Sequence, residues 1–200
     1  MKKIVSIFTV AAALISGNAF AALRGDIAPY LSGKVGYARS WIADEHSYLY
    51  EFDHGYKFGM PGVFGAFGVD YQAGQEIAIR QEIEVSYARD WSSKHTEFGI
   101  LGALANVYVD FGRNIVRPYI GFGLGVAEVT GMCNHPYADC SCPISFAHSA
   151  FDWGLYAGLN FHLTRHWALD LGARYNRVEI LNHGPDFQTF GGTFGARYRF

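Results

Sequence analysis

Alternation of apolar and polar residues is the feature that most constrains how this chain folds. Between Ile77 and Ala88 the odd positions are apolar except for Gln81, whereas the even positions carry Arg80 and two glutamates. A helix would mix these two sets around its circumference, but a strand separates them onto opposite faces. The segment therefore predicts a β-strand with one apolar face and one charged face.

Seven further segments show the same period of two. They lie at 31–38, 63–72, 97–111, 120–126, 153–163, 167–175 and 190–200. The register of 97–111 is the least decided, because Ile100 and Leu104 fall on the face that carries Asn106, Tyr108 and Asp110. Eight strands, an even number, predict an all-β fold, an eight-stranded antiparallel up-and-down transmembrane β-barrel.

Composition favours a membrane barrel over a soluble one. Aromatic residues make up 16% of the chain and 24 of the 200 residues are glycine. Apart from the N-terminal segment there is no apolar run near the roughly 20 residues of a membrane helix. A soluble sandwich or a lipocalin-like barrel also alternates. A soluble fold would have to leave Arg80, Glu82 and Glu84 exposed to water. It would also give no reason for the large residues near both strand ends or for the terminal Phe200.

The connections between the segments differ in length. Those near 73–76, 112–117 and 163–166 are short, whereas those near 42–62, 129–150 and 179–189 are long, and 92–96 is an exception. Short periplasmic turns and longer outside loops are typical of outer-membrane barrels. The count of strands then places both termini in the periplasm, and localisation to the outer membrane of a Gram-negative bacterium follows.

The N-terminus has the pattern of an export signal. Lys2 and Lys3 precede an uncharged run from Ile4 to Ile15, and Ala19 and Ala21 stand at the positions that a signal peptidase reads. We therefore expect a signal peptide at 1–21 and the barrel at 22–200. Without the two lysines the chain keeps 14 basic and 18 acidic residues and has no basic stripe, so nucleic acid is not an expected partner.

Several motifs resemble one family of outer-membrane barrels, the opacity-protein and neisserial surface protein A type. They are VRPYIGFGLG at 116–125, LNFHLTRHWALDLGARY at 159–175, FGARYRF at 194–200 and NVYVDFG at 106–112. The resemblance covers the second half of the chain well and the first half only in pattern. It implies eight antiparallel strands, surface exposure and, frequently, binding of host molecules. The motifs lie in strands and periplasmic turns, so they identify the barrel class better than any function.

The inward faces of the predicted strands carry charges of both signs. The lumen of an eight-stranded barrel is just wide enough for its own side chains, and an unpaired buried charge costs several kcal/mol. We therefore expect ion pairs in a polar plug that excludes a wide pore but allows a small gated conductance. The principal candidates are Arg80, Glu82, Glu84, Arg174 and Arg197.

Three cysteines fall in the predicted outside loop 129–150. Export to an oxidising compartment predicts a disulfide, either Cys133–Cys140 or Cys133–Cys142, with one thiol left over. The alternative is a zinc or copper site made by these three cysteines and His135. Six of the eight histidines lie in the same kind of loop: His46, His54, His95, His135, His148 and His183. The simplest interpretation is that polar loops tolerate histidine, and the alternative is a role in metal capture or acid sensing. We predict no metal or other cofactor.

An enzymatic role is not expected. Lipid A-modifying barrels need a nucleophilic serine close to a histidine and an orienting acid. His148 and Ser149 are adjacent, so on a strand they would point to opposite faces, and no serine accompanies His183 and Asp186. A lipid A-modifying enzyme therefore stands as the second alternative function.

The first long connection is rich in aromatic residues, which give a large contact area at low entropic cost. We predict that it forms a binding surface for a host receptor, a matrix molecule or an environmental ligand, and hence an adhesin-like, monomeric surface protein. The alternative is a purely structural barrel or a small gated pore. The residues are Tyr48, Tyr50, Phe52, Tyr56 and Phe58.

A short motif recurs at the outer ends of three strands. YARSW ends at Trp41, YARDW ends at Trp91, and Tyr175 and Arg177 keep part of it. An outward arginine costs about 2–4 kcal/mol at the bilayer midplane and about 0–1 kcal/mol near the interface. We expect Arg39, Arg89 and Arg177 to bind lipopolysaccharide phosphates there, or else to face solvent or pair with loop acids such as Asp44.

Overall fold

The computed structural model describes residues 27–42, 57–73, 75–90, 96–133, 144–180 and 186–200. They form eight β-strands: β1 (Ala28–Ile42), β2 (Lys57–Gln72), β3 (Ile77–Arg89), β4 (Thr96–Phe111), β5 (Val116–Cys133), β6 (Ile144–His162), β7 (Trp167–Ile180) and β8 (Asp186–Arg199). Each strand pairs antiparallel with the next and β8 pairs with β1. The predicted closed eight-stranded barrel is confirmed. Among the described residues no helix is long and apolar enough to cross a membrane.

The outer face of the barrel is an apolar belt. Val35, Phe67 and Leu171 point outward and are 57%, 55% and 51% exposed. Alternating positions on the same strands point inward and are buried, as in β3, where Arg80, Glu82 and Glu84 are at most 2% exposed. A water-soluble barrel would bury the apolar set instead. This inside-out distribution is the one expected of strands that cross a lipid bilayer.

The doubtful register of β4 is now decided. Leu104, Asn106, Tyr108 and Asp110 are all buried inside the barrel, each at most 3% exposed. Leu101 is half exposed on the outer face. The expected register, with Leu104 inward despite its apolar character, is confirmed.

The short connections and both described termini lie at one end of the barrel. The connection between β4 and β5 is tight, and Gly112 adopts a φ of 86° there, a conformation that glycine reaches without steric cost. Aromatic rings of β7 and β8 pack together at the same end, where the ring centroids of Trp167 and Tyr198 are 4.9 Å apart. Such a ring cluster is typical of the aromatic girdle at a membrane interface.

At the opposite end the strands are longer than the sequence predicted. Residues 57–62, 129–133 and 144–150 are strand rather than loop, so the connections shrink to 43–56, 134–143 and 181–185. Phe58, Cys133 and His148 therefore lie on strands. The alternation was hidden there because apolar residues occupy inward as well as outward positions.

The β5–β6 hairpin extends well beyond β7 at this end, and β4 accompanies it as far as Thr96, which is opposite Cys133. Its pairing continues to Cys133 and Ile144, whereas β7 stops pairing with β6 at Ile180 and Ala150. We call the paired ends 130–133 and 144–149 the outer lip. A membrane strand needs about 9–11 residues, and β5 and β6 have 18 and 19.

Candidate functional site

Glu82 lies at the centre of a buried hydrogen-bond network in the lumen. Its carboxylate accepts hydrogen bonds from the hydroxyls of Tyr30 and Tyr108, both at 2.9 Å, and from Lys34 Nζ at 3.0 Å. A buried carboxylate is tolerated when a countercharge and hydrogen bonds satisfy its oxygens. Glu82 meets both conditions through residues of two other strands, β1 and β4.

Glu84, two residues further along β3, faces the same lumen. It accepts from Lys34 Nζ at 3.2 Å and from Arg174 Nη1 at 3.0 Å. The Arg174 guanidinium lies over the rings of Phe64 and Tyr156, 4.3 Å and 5.1 Å from their centroids. Arg174 thus fills the middle of the lumen as well as neutralising a charge.

A further ion pair lies closer to the short-turn end. Arg80 Nε is 2.7 Å from Asp110 Oδ2, and Nη2 donates to Oδ1 at 3.0 Å. The guanidinium lies 4.4 Å from the Tyr108 ring centroid and 4.9 Å from that of Tyr119. The Tyr119 hydroxyl donates to Asp170 at 2.9 Å. These contacts hold Arg80 fully inside the barrel.

The structure adds lumen residues that the sequence analysis missed. Arg174 Nε donates to Asn176 at 2.9 Å, and Asn176 donates to Asp152 at 2.9 Å. Asp152 is 4% exposed. The predicted sixth strand began one residue after Asp152, and the predicted first strand one residue after Tyr30. Extending the alternation by a single step would have found both.

Arg197 differs from the other predicted lumen charges. Its side chain is buried, with the guanidinium 5.1 Å from the Tyr30 ring centroid. Neither Nη atom has a hydrogen-bond partner among the described residues, and no ion pair of Arg197 was found there. Arg199, at the rim, pairs with Asp70.

The outer half of the lumen is mainly apolar, with Ser40 and Asp90 as buried polar residues, and the sequence analysis did not predict this. We call this group the apolar collar: Met60, Phe98, Ala127, Val129, Ala150, Val178, Ile180 and Phe187. Its members are at most 9% exposed, and the Phe98 and Phe187 ring centroids lie 6.2 Å apart. A cavity of about 60 Å³ lies against both Met60 of the collar and Arg174 of the network. The lumen is therefore polar near the short turns and mainly apolar near the outer lip.

The three arginines of the repeated motif lie at the outer ends of β1, β3 and β7. Arg39 is exposed on the outer face, whereas Arg89 is half-buried there and has an interaction partner. Arg177 Nη2 lies 2.5 Å from Asp186, and Nε lies 3.3 Å from Glu179. Arg177 thus has acidic partners, as in the alternative interpretation, and lipopolysaccharide binding by the three stays a prediction.

Several predicted residues lie outside the described part of the chain. These are the signal peptide 1–21, the loop residues Tyr48, Tyr50, Phe52 and Tyr56, and Cys140 and Cys142. Phe58 and Cys133 are described by their backbones only, on β2 and β5. The aromatic binding surface and the disulfide therefore stay predictions.

Among the described residues no group of three or more His, Cys, Asp and Glu side chains could hold a metal ion. His148 and Ser149 are consecutive on β6 and both are exposed. Consecutive strand residues point to opposite faces, so this pair does not form the hydrogen-bonded arrangement that an activated serine needs.

Parts of the chain are similar to proteins of Brucella. An uncharacterized protein of Brucella abortus strain 2308 and one of Brucella suis biovar 1 strain 1330 are each 38% identical to it over 94 residues. The match covers 43% of this chain and 33% of each relative. The chain thus covers a third of the length of these relatives.

The barrel also resembles a solved structure, that of neisserial surface protein A. The TM-score is 0.58 at 16% identity, over 86% of this chain and 97% of the other. At this identity the similarity concerns the fold. A family model described as outer membrane protein beta-barrel domain matches residues 8–200. The protein is therefore located in the outer membrane of a Gram-negative bacterium, and the chain belongs to the outer membrane protein beta-barrel domain family.

Proposed function

We propose that this barrel is an adhesin-like surface interaction protein, which binds a host or environmental macromolecule through its outer end. The observation that carries the proposal is the outer lip. Strands that only cross the membrane need about 9–11 residues, and the 18 and 19 residues of β5 and β6 exceed that length. The extra residues raise a paired platform above the end of β7, and β4 borders this platform as far as Thr96.

The chemistry of the raised strands suits recognition in water. Among the side chains that the structure describes near the lip, the exposed ones are small or polar: Glu128, Thr130, Ala147, His148 and Ser149. Backbone pairing between β5 and β6 restrains these residues before any partner arrives. A restrained surface loses less conformational entropy on binding than a free loop. The position of the lip therefore favours the interpretation that the connection 134–143 is part of a contact surface.

The filled lumen supports a surface role over a diffusion pore. Lys34 and Arg174 cross the lumen to reach the glutamates of β3, and the apolar collar lies beyond them. A hydrophobic constriction above a charged one disfavours both polar and apolar solutes. Because the closed barrel leaves no strand edge unpaired, we propose that it acts as a monomer.

The test is adhesion of cells that display the protein. One variant carries Tyr48→Ser, Tyr50→Ser, Phe52→Ser and Tyr56→Ser, and a second replaces 134–143 by a short Gly-Ser connection. Adhesion to host-cell monolayers or matrix-coated wells should fall for at least one of them. The matched control is Ile115→Ser with Leu163→Ser, two exposed apolar residues in or beside the short turns, which should leave adhesion unchanged.

Two further measurements separate the alternatives. The heat-modifiable electrophoretic band should be the same for all variants, which shows that the barrel still folds. If both variants adhere as well as the parent, the protein is a structural barrel rather than an adhesin. A lost or added acyl chain on lipid A, detected by mass spectrometry after expression in a host without such enzymes, would instead establish the enzymatic alternative.

A further inference from the structure

Arg197 is a buried cation with unused hydrogen-bond donors. Its side chain is 4% exposed, and both Nη atoms lack a hydrogen-bond partner among the described residues. Its contact with the Tyr30 ring, at 5.1 Å, engages the face of the guanidinium but not its N–H groups. A buried guanidinium normally has an anionic partner, because burying the charge alone is costly.

Two other unused polar atoms lie at the same level of the lumen. Ser32 of β1 is directly opposite Arg197. On the other side, Ala168 of β7 is opposite Arg197 and also opposite His162 of β6. Ser32 Oγ and His162 Nε2 are buried and have no hydrogen-bond partner in the described part of the chain. A hydroxyl and an imidazole N–H can both donate to an anion.

The surrounding charges leave this level positive. The charged groups that act on Arg197 and His162 are Arg80, Arg117, Arg199, Asp70 and Asp110. Both acids are already engaged, because Asp110 pairs with Arg80 and accepts from Asn160 at 3.1 Å, and Asp70 pairs with Arg199. With Arg197, four guanidinium groups face two carboxylates.

We propose that Arg197, Ser32 and His162 form a binding site for a small soluble oxyanion of the phosphate type, which enters the barrel from the periplasm. The guanidinium presents two parallel N–H donors that match two oxygens of such an anion. Ser32 and His162 donate to the remaining oxygens from the adjacent strands. Arg199, two residues further along β8, is 35% exposed at the rim, so the site lies just inside the periplasmic mouth. The ligand is soluble rather than a lipid headgroup because these side chains face the lumen.

The experiment measures phosphate binding to the full chain, refolded in a phosphate-free maltoside detergent. Inorganic phosphate should raise the midpoint of thermal unfolding at an ionic strength held constant with chloride, since a ligand of the folded state stabilises it. In Arg197→Gln the apparent affinity for phosphate should fall by about 10–100-fold, the effect of losing a charged hydrogen-bonding partner. Line broadening of the phosphate signal in phosphorus NMR gives a second readout.

The matched control is Arg165→Gln, which removes one positive charge from an exposed turn at the same end. It should bind phosphate as the parent does. Arg197→Lys keeps the charge but loses the paired donors, so its affinity should also fall. If Arg197→Gln does not fold, Ser32→Ala combined with His162→Gln tests the same site and should weaken binding. An unchanged phosphate response in a folded site variant, or an equal response to chloride, would overturn the proposal.

Discussion

Glu82 and Glu84 point into the same lumen from one face of β3 and share a single ammonium group, with Lys34 Nζ 3.0 Å from the first and 3.2 Å from the second. Two buried carboxylates so close together repel unless a cation lies between them. The bridge from β1 to β3 spans β2, so it ties together strands that do not pair. Lys34 is therefore the residue on which the charge balance of the lumen most depends.

Replacing Lys34 by Met should destabilise the barrel by about 3–5 kcal/mol, because it leaves the buried carboxylate of Glu82 without its cation. Urea unfolding of the refolded protein, followed by tryptophan fluorescence, measures the change. Adding Glu82→Gln to Lys34→Met should recover part of the loss, since residue 82 then no longer needs a cation and Glu84 keeps Arg174. A single Lys34→Met variant as stable as the parent would show that the bridge has no structural role.

Planar-bilayer recordings of the purified barrel should show at most rare and small openings. Arg174 occupies the middle of the lumen, held by Glu84 at 3.0 Å and by the Phe64 and Tyr156 rings. Arg174→Ala should increase the frequency or size of the openings, because it removes both the side chain and its ion pair. The matched control is Arg113→Ala in the exposed turn. Steady conductance with solute flux through the unaltered protein would contradict the filled lumen.

Substitutions at glycine positions compare how tightly side chains pack inside the barrel and on its outer face. A Cβ at Gly123 would lie 2.7 Å from the Tyr156 hydroxyl, whereas a Cβ at Gly65 would have nothing within 4 Å. Gly123→Val should therefore destabilise the barrel by about 1–3 kcal/mol through overpacking. Gly65→Val, facing lipid, should be neutral or stabilising. The midpoints of thermal unfolding of the two variants measure this difference. Equal changes in the two midpoints would contradict the tight packing around Tyr156.

Lipopolysaccharide retention through purification tests the outer arginines. Arg39→Ala with Arg89→Ala should reduce the retained lipopolysaccharide, because arginine binds phosphates by paired, charge-assisted hydrogen bonds. Arg177→Ala alone should have a smaller effect, since Asp186 and Glu179 already contact Arg177. Arg113→Ala with Arg165→Ala removes two charges at the opposite end and serves as control. Equal retention in the outer and control variants would exclude the phosphate contact.

A thiol count on the intact protein tests the loop cysteines. Cys133 ends β5 directly opposite Ile144, two residues after Cys142. A disulfide from Cys133 predicts at most one free thiol before reduction. Three free thiols together with bound zinc or copper would establish the metal site instead.

The sequence predicted the membrane-spanning part of the barrel well, because alternation is strict where one face meets lipid and the other meets charges. Ile83 outward and Glu84 inward illustrate the pattern, and even the doubtful Leu104 followed it. The side chains of Arg80, Glu82 and Glu84 lie inside the barrel. Their partners could not be read from the sequence, because pairing depends on the stagger between strands, including strands that are not adjacent, such as β1 and β3.

Prediction failed near the outer end for a physical reason. Val129, Val178 and Phe187 point inward but are apolar, so the contrast between the two faces disappears. Segments 129–133 and 144–150 therefore lacked the alternation of a strand and were interpreted as loop. No other feature of the sequence indicated the apolar collar. Nothing in the sequence indicated that the Nη donors of Arg197 lack a partner among the described residues, because the similar numbers of inward positive and negative charges suggested that each was paired.

The seam between β1 and β8 has a consequence for assembly. The two strands pair from Tyr30 and Arg199 to Ile42 and Phe187, although the whole barrel separates them in sequence. Contacts of such long sequence separation form slowly, because the chain entropy of closing the ring must be lost first. Until β8 arrives, a growing barrel keeps an exposed edge on β1 that other chains can join. A chain truncated before Asp186 should therefore aggregate on refolding, and the kinetics of ring closure, rather than the stability of the finished barrel, should set the yield of the protein.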